Sequence, residues 1–385
     1  MPLRMLTKEG CHGRRERLWK EINSSLAPVD CVVVTEPAHI TYLSGFCQSL
    51  YEFRSVLAGA CLVLHAEGRA ILVVDNLLRP YADLAFADEV LDPEWYSGVA
   101  SAGSRRLGLL GAAKSALGNV QGKRVAGEAA STPVSLVDGL KEAGARWVDL
   151  GILLPSLRVS KDADEVAVFR RSVAAAEAGH RAALARLRPK MTELDLYRLV
   201  ADAAEDVLGE PAQVYGDFVS GPRCQEIGGF ASSRVIEKGD LVLLDFSVVV
   251  QGYRCDFANT FVCDGEPSAE LSEAFLACRA AMEVGEKAAR AGVPCRALDA
   301  TIRGSLGQRA RHFATHSGHG LGLGHPETPF IVPESTDTLQ SGNIITLEPG
   351  QYVTGAYGLR IERNYLVTTE GLELLSRHEL RLTQT

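Results

Sequence analysis

One run of residues, LVLLDFSVVV at 241–250, constrains this chain more than any other stretch of it. Its β-branched and leucine content reads as a strand buried on both faces, interrupted only by Asp245 and Ser247. Gln251 and Gly252 read as a two-residue hairpin turn, and YRCDFANTF at 253–261 as the returning strand. With that turn Val250 faces Tyr253 and Ser247 faces Asp256, which sets Asp245 diagonal to Asp256 on one face of the sheet. Diagonal neighbours stand roughly 7 Å apart at the backbone, near enough for both side chains to converge. Two anions held so in apolar surroundings repel each other and lose hydration, a penalty of several kcal/mol that asks for a cation. A metal ion is the simplest such cation.

Further ligands come on three later segments, ATHSGHGLGLGHPE at 314–327, NIITLEPG at 343–350 and YGLRIERNYLV at 357–367. They set His319, Glu348 and Glu362 beside glycines or at strand ends, and glycine lets backbones approach without crowding an ion. Four carboxylates with one imidazole make hard, oxygen-rich ligand sets. These suit a pair of divalent ions, Mn, Co, Fe or Zn, better than a lone structural zinc. Taken alone, Asp245 and Asp256 would read as structural hairpin aspartates; the other ligands in register with them favour metal. The SGHGLGLG run lacks the Lys-Ser/Thr of a phosphate loop, and no GxGxxG follows a strand, so nucleotide binding is not expected.

Asp245 and Asp256 eleven residues apart, GHGLG, LEPG with Tyr352 four residues beyond its Glu, and LRIE with its Glu fourteen beyond that of LEPG form an ordered set. In order and spacing it resembles the pita-bread-fold metallopeptidases: methionine aminopeptidase, Xaa-Pro aminopeptidase, prolidase and the related creatinase. The likeness spans about 155–375, and HITYLSGF at 39–46 is similar to the start of a creatinase-type N-terminal domain. The resemblance implies an α+β protein, with a smaller mixed α/β creatinase-type domain over 1–155 and a pita-bread catalytic domain over 156–385. It implies that Asp245 holds one ion, that Asp256 and Glu362 bridge two, and that His319 and Glu348 hold the second. Arg360 would orient a ligand carboxylate. The wording SGPR, RVIEKGD, LEPGQY and GLRIE is most similar to prolidase and aminopeptidase P. That implies hydrolysis of the bond before proline in a short peptide by a homodimer, with Glu348 moving a proton from water to the leaving nitrogen.

The departures define the rest of the expected site. The Xaa-Pro branch carries a histidine seventeen residues before the first metal Asp, here Gly228, and another seven after the metal His, here Pro326. Both imidazoles contact the scissile amide or its tetrahedral intermediate in that family, and one oxyanion donor contributes about 2.7–4 kcal/mol. His325 and His316 are the candidates to take over, and with Glu348 they form the expected catalytic set. Gly228, Tyr352 and Arg360 are expected at the substrate, and Arg363 replaces an acid of the family motif. Two alternatives stay open. One is a creatinase-like hydrolase of a small amide-type, non-peptide C–N bond. The other is a non-catalytic binding protein of the same fold, against which the intact ligands count.

A chain of 385 residues can bury one large core and one smaller. Its net charge of −8, with no basic cluster beyond Arg14, Arg15 and Arg17, argues against nucleic acid as partner. Nine cysteines without a CxxC pair fit free thiols in a reducing cytoplasm. Arg4, Lys8 and Glu9 interrupt the N-terminus, so no signal peptide is expected, and no apolar run approaches the roughly 18 residues of a membrane span. The expectation is a cytoplasmic enzyme without a membrane partner. CVVV, ACLVL and AILVV within 29–75, RVAGE at 124–128 and WVDL at 147–150 read as strands, and LLGAAKSALG at 109–118 as a helix. After the connector LRVSKDADE, the acids Asp162, Asp164 and Glu165 open a helix to about Leu187, where its dipole favours negative charge. Thr192 with Asp195 makes a capping box for a helix that stops before Gly209, and a third runs from Ser268 towards Gly292. His12, His39, His65, His180 and His378 read as surface or packing residues.

Overall fold

Each apolar run singled out in the first part of the chain forms a strand in the computed structural model, which describes residues 5–47 and 59–384. Arg4 lies outside the described residues. The chain divides into two compact units between Arg158 and Val159. In the first, β1 (Cys31–Val34), β2 (Ala60–His65), β3 (Ala70–Val74), β4 (Glu89–Leu91), β5 (Arg124–Gly127) and β6 (Arg146–Asp149) make one mixed sheet in the order β4-β3-β2-β1-β5-β6. The helices of this unit are α1 (Lys8–Ser25), α2 (Pro37–Ser44), α3 (Arg79–Ala82), α4 (Arg105–Leu117), α5 (Val134–Glu142) and α6 (Leu153–Leu157). Val33, Val63 and Ile71 of the sheet share a core with Leu117, Leu136 and Leu140 of α4 and α5.

The basic cluster at the start of the chain is not a surface patch. Arg14 and Arg15 are buried. Arg14 Nε donates to Tyr42 O at 2.6 Å, and Arg15 Nη1 to Leu43 O at 3.0 Å and Phe86 O at 2.7 Å. Two of the three carbonyls belong to the last turn of α2, where a cation satisfies acceptors that have no partner within the helix. The nine cysteines are buried, and none of the described helices is long and apolar enough to cross a membrane.

The second unit opens with α7 (Ala163–Arg186) behind a capping box of Asp162 and Glu165, followed by α8 (Glu193–Leu208) behind that of Thr192 and Asp195. α8 ends on Gly209 at φ 67°, the left-handed cap the sequence predicts. α9 (Ala269–Ala288) starts from Ser268 and stops short of Gly292, and α10 (Cys295–Ser305) follows. Strands β7 (Gln213–Ser220), β8 (Leu241–Val250), β9 (Tyr253–Arg254) and β10 (Phe257–Val262) form a sheet with β8 at its centre. On one face Phe246 packs at a tilt against Phe218 and Phe257, beside His180 of α7 and Tyr197 of α8. On the other, Leu241 and Leu243 pack against Leu271 and Phe275 of α9, and Asp245 continues that face. A five-stranded sheet in the order β12-β11-β13-β16-β17 comprises β11 (Gly318–Gly320), β12 (Glu327–Ile331), β13 (Ile344–Leu347), β16 (Arg363–Val367) and β17 (Leu372–Leu374). Between β13 and β16 in sequence, β14 (Gly350–Val353) pairs with β15 (Tyr357–Arg360).

The hairpin has the predicted register. Gln251 and Gly252 adopt φ of 49° and 83°, the left-handed pair that a tight turn between twisted strands requires. Val250 faces Tyr253, and Phe246 faces Phe257. The returning strand differs in one respect: it breaks at Cys255 and Asp256. There the N–H of Cys255 donates to Ser172 Oγ at 3.1 Å and that of Asp256 to Asn364 Oδ1 at 3.1 Å. The backbone is satisfied by side chains where the ladder is interrupted.

Candidate metal centre

Two strands of the β7–β10 sheet, and the break between β9 and β10, turn carboxylates to one face. Asp217 on β7 pairs directly with Asp245 on β8, and Ser247 Oγ donates to Asp256 Oδ1 at 3.1 Å from the neighbouring strand. β11 brings His319 between Gly318 and Gly320, where a Cβ would stand 2.0 Å from Thr346 O or 2.3 Å from Thr328 O, so only glycine permits the approach. Glu348 follows β13, its N–H donating to Ser317 O at 3.1 Å, and Glu362 joins β15 to β16, its N–H donating to Ala258 O at 2.9 Å. The ligand atoms fall into overlapping groups: Asp245, Asp256 and Glu362; Asp256, His319 and His325; His316, His319 and Glu348. Within each group they lie within 4.8 Å of one another. They line a cleft of ≈ 270 Å³ together with Asp217, Arg254, Thr315, Pro326 and Arg360.

Charge in this cleft does not balance among the protein groups. Asp245, Asp256, Glu348 and Glu362 are between 1% and 8% exposed. Arg360 pairs with Asp245 through Nε and Nη2, donates to Tyr352 Oη at 2.5 Å and reaches Asp217 Oδ2 at 3.1 Å. Even so, burial, with Asp256 and Asp217 nearby, raises Asp245 to about 7. Burial and the neighbouring carboxylates raise Glu348 and Glu362 well above the carboxylate range. Burial acts upward on Asp256 as well, but a hydrogen bond from His325 and the positive fields of His325, His319 and Arg254 carry it below its ordinary value. Burial lowers His319 to about 4 and lowers His316.

The residues fit divalent cations. Glu348 Oε1 is buried and accepts no hydrogen bond from the described residues, with His316 Nε2 at 3.3 Å and His319 Nε2 at 3.4 Å. A bare acceptor facing two imidazole nitrogens and further carboxylates suits a cation rather than a donor of this chain. The supports are in place too. Thr346 Oγ1 donates to Glu362 Oε1 at 2.5 Å, and His319 Nδ1 lies 3.0 Å from Gly320 O, which directs Nε2 to the cleft. Asp299 accepts from Arg303 Nε and Ser317 Oγ at 2.9 and 2.6 Å, while Arg303 also donates to Thr315 O at 2.5 Å. That network fixes the segment that carries His316 into β11.

The structure brings all five expected ligands together and places the two candidate histidines among them. His325 Nε2 lies 2.5 Å from Asp256 Oδ2. Its loop is anchored by Glu327, which pairs with the buried Lys161 at 2.7 Å and accepts from the N–H of Gly324 at 3.0 Å. Two residues expected at the substrate do not line the cleft. Tyr352 stands behind Arg360, and the space beside Gly228 is taken by Asp217, whose two carboxylate oxygens lie 3.3 Å from where a Cβ at 228 would be. Arg360 does reach the cleft but is committed to Asp245. Sequence reasoning missed Asp217, Arg254 and Thr346. Arg254 was within reach, since it lies two residues before Asp256 on the strand and shares its face; Asp217 was not, because its register depends on a strand pairing across a long connection.

The model of metallopeptidase family M24 matches residues 167–369, and that of the creatinase/prolidase N-terminal domain matches residues 14–160. An uncharacterised peptidase of Staphylococcus aureus strain USA300 is 27% identical over 238 residues, which is 60% of this chain and 66% of the relative, just under two thirds of its length. Among solved structures, an Xaa-Pro dipeptidase from Bacillus anthracis aligns with a TM-score of 0.79 at 24% identity, over 97% of this chain and 99% of that one. An X-Pro aminopeptidase from Thermotoga maritima gives 0.81 at 23% identity over 96% and 99%. The dipeptidase PepE from Mycobacterium ulcerans gives 0.78 at 25% identity over 98% and 99%. These likenesses establish the expected α+β architecture, a creatinase-type domain followed by a pita-bread domain.

Proposed function

The chain belongs to metallopeptidase family M24, and on that premise we propose that it is a dinuclear-metal hydrolase cleaving the bond before proline in short peptides. One observation carries the reading: the ligand groups overlap, Asp256 being common to two of them and His319 to two. Such an arrangement suits two ions side by side sharing ligands. Asp245, Asp256 and Glu362 would hold one, and His319 and Glu348 the other, with Asp256 and Glu362 between them. Bound divalent ions supply Lewis acidity, polarising a carbonyl and acidifying water. The chain's own groups do the rest. Glu348, with one carboxylate oxygen bare in the cleft wall, takes a proton from water and passes it to the leaving nitrogen. His316 and His325 supply N–H groups where charge develops on the carbonyl oxygen. Arg360 holds Asp245 in place against the repulsion of its neighbours.

The test is a screen of Xaa-Pro dipeptides and longer Xaa-Pro peptides with Mn, Co and Zn supplied in turn. Cleavage is expected, and His325→Ala should lower turnover by about 10²-fold, the scale of one lost oxyanion donor. No cleavage above a metal-only control rejects the reading. A second reading, hydrolysis of a small non-peptide C–N bond, is favoured by a carboxylate, Asp217, beside Gly228 where an imidazole is expected of a proline peptidase. On that reading Xaa-Pro hydrolysis is feeble and indifferent to His325→Ala.

A further inference from the structure

Two imidazoles flank that of His319, with ring centroids 5.0 Å away for His316 and 5.3 Å away for His325. They meet carboxylates in different ways. His325 Nε2 lies 2.5 Å from Asp256 Oδ2, the spacing of a short charge-assisted hydrogen bond, so that nitrogen carries its proton towards the oxygen. His316 Nε2 stands 3.3 Å from Glu348 Oε1, and His319 Nε2 stands 3.4 Å from the same oxygen, which accepts no hydrogen bond from the described residues. A spacing of this size with no proton between the atoms is that of neighbours on one ion. With bonds of about 2.0–2.2 Å and a tetrahedral angle, two ligand atoms stand roughly 3.4 Å apart.

The residues on either side of His316 are tied down, which holds its ring in place. Arg303 donates to Thr315 O at 2.5 Å, and Ser317 Oγ donates to Asp299 Oδ1 at 2.6 Å. The group of Asp245, Asp256 and Glu362 offers carboxylate oxygens alone, whereas that of His316, His319 and Glu348 offers two nitrogens and one oxygen. Imidazole suits zinc, and carboxylate suits manganese. We propose that His316 is a sixth metal ligand, its Nε2 joining His319 and Glu348 on one ion, so that a zinc-selective position stands beside an all-carboxylate position suited to manganese. The proposal rests on the two-ion reading above. Ligation through Nε2 leaves the ring proton on Nδ1, so His316 keeps an N–H to donate.

Metal binding alone tests it, on metal-stripped protein titrated with Zn(II) and with Mn(II) against a competing chelator. The first zinc should bind His316→Ala at least about 100-fold more weakly than wild type, beyond the 10- to 100-fold scale of a residue that only orients a ligand. The first manganese should bind both proteins alike. Asp245→Asn should do the converse, weakening manganese and sparing zinc; misfolding would instead weaken both metals in one variant. A smaller loss of zinc affinity in His316→Ala, or a loss that manganese shares, overturns the assignment. A chain that binds one ion in all refutes the two-ion reading by itself, and the zinc affinity of His316→Ala then still decides the ligand role. No peptide is cleaved in this test, so its outcome does not depend on the Xaa-Pro reading.

Discussion

On the proposed mechanism Glu348 has two duties on one carboxylate, holding an ion and moving a proton, and the two can be separated. Glu348→Gln keeps an oxygen at the same place but cannot carry the proton, so turnover should fall further than metal affinity does. A rate loss that merely follows lost metal, and is restored at saturating ion, would remove the proton role. Away from the centre, His180 and His378 lie ring to ring at 5.0 Å in the core, with His378 stacked on Phe257. Burial lowers His180 to about 3 and lowers His378 well below its ordinary value. Both are neutral in the folded chain and gain a proton on unfolding, so their contribution is fully present above the unfolded value and is lost as pH falls below about 6.5. Each costs about 1.4 kcal/mol per pH unit there. Urea unfolding at pH 7.5 and pH 5 should show that loss, and His180→Gln should reduce it by about 2 kcal/mol; an identical pH dependence in the variant contradicts the assignment.

At the scale of elements, the loop from β11 to β12 depends on one buried ion pair. Lys161 is 1% exposed at its side chain and Glu327 11%. Removing one partner leaves a buried charge, so Lys161→Met should destabilise by about 3 kcal/mol and lower kcat/KM as the loop with His325 loosens. Unchanged stability in urea would show that the pair is dispensable. Why was the hairpin readable and the clamp not? The hairpin is local: an alternating apolar run, a Gln-Gly turn and a return strand specify register by themselves. The same logic makes His319, Glu348 and Glu362 legible, because each sits in a short motif whose glycines are demanded by the backbones around it. Lys161 and Glu327 are 166 residues apart, and nothing near either predicts the other. Gly228 misled for a related reason. Counting along the chain located it, but only the pairing of Asp217 with Asp245 shows that a carboxylate stands beside it. The burial of Arg14 and Arg15 was not legible, because a sequence does not reveal which carbonyls a buried guanidinium will meet.

For the whole molecule, the two units carry different burdens: every candidate ligand lies in Val159–Thr385. Ions that bind only the folded state stabilise it by mass action. Calorimetry should therefore show that chelation lowers the unfolding temperature of the unit with the metal centre and leaves that of the first unit in place; a uniform shift, or none, would contradict that placement. The proposed centre is a pair of ions held by five residues of this one unit. Its most direct test is to titrate metal-stripped protein with Mn(II), following hydrolysis of Ala-Pro and bound metal together. Wild type should gain activity up to about two ions per chain, and Asp256→Asn, which removes the carboxylate common to two ligand groups, should bind fewer and stay inactive. Full activity in the stripped protein, or an unchanged metal count in Asp256→Asn, would contradict it.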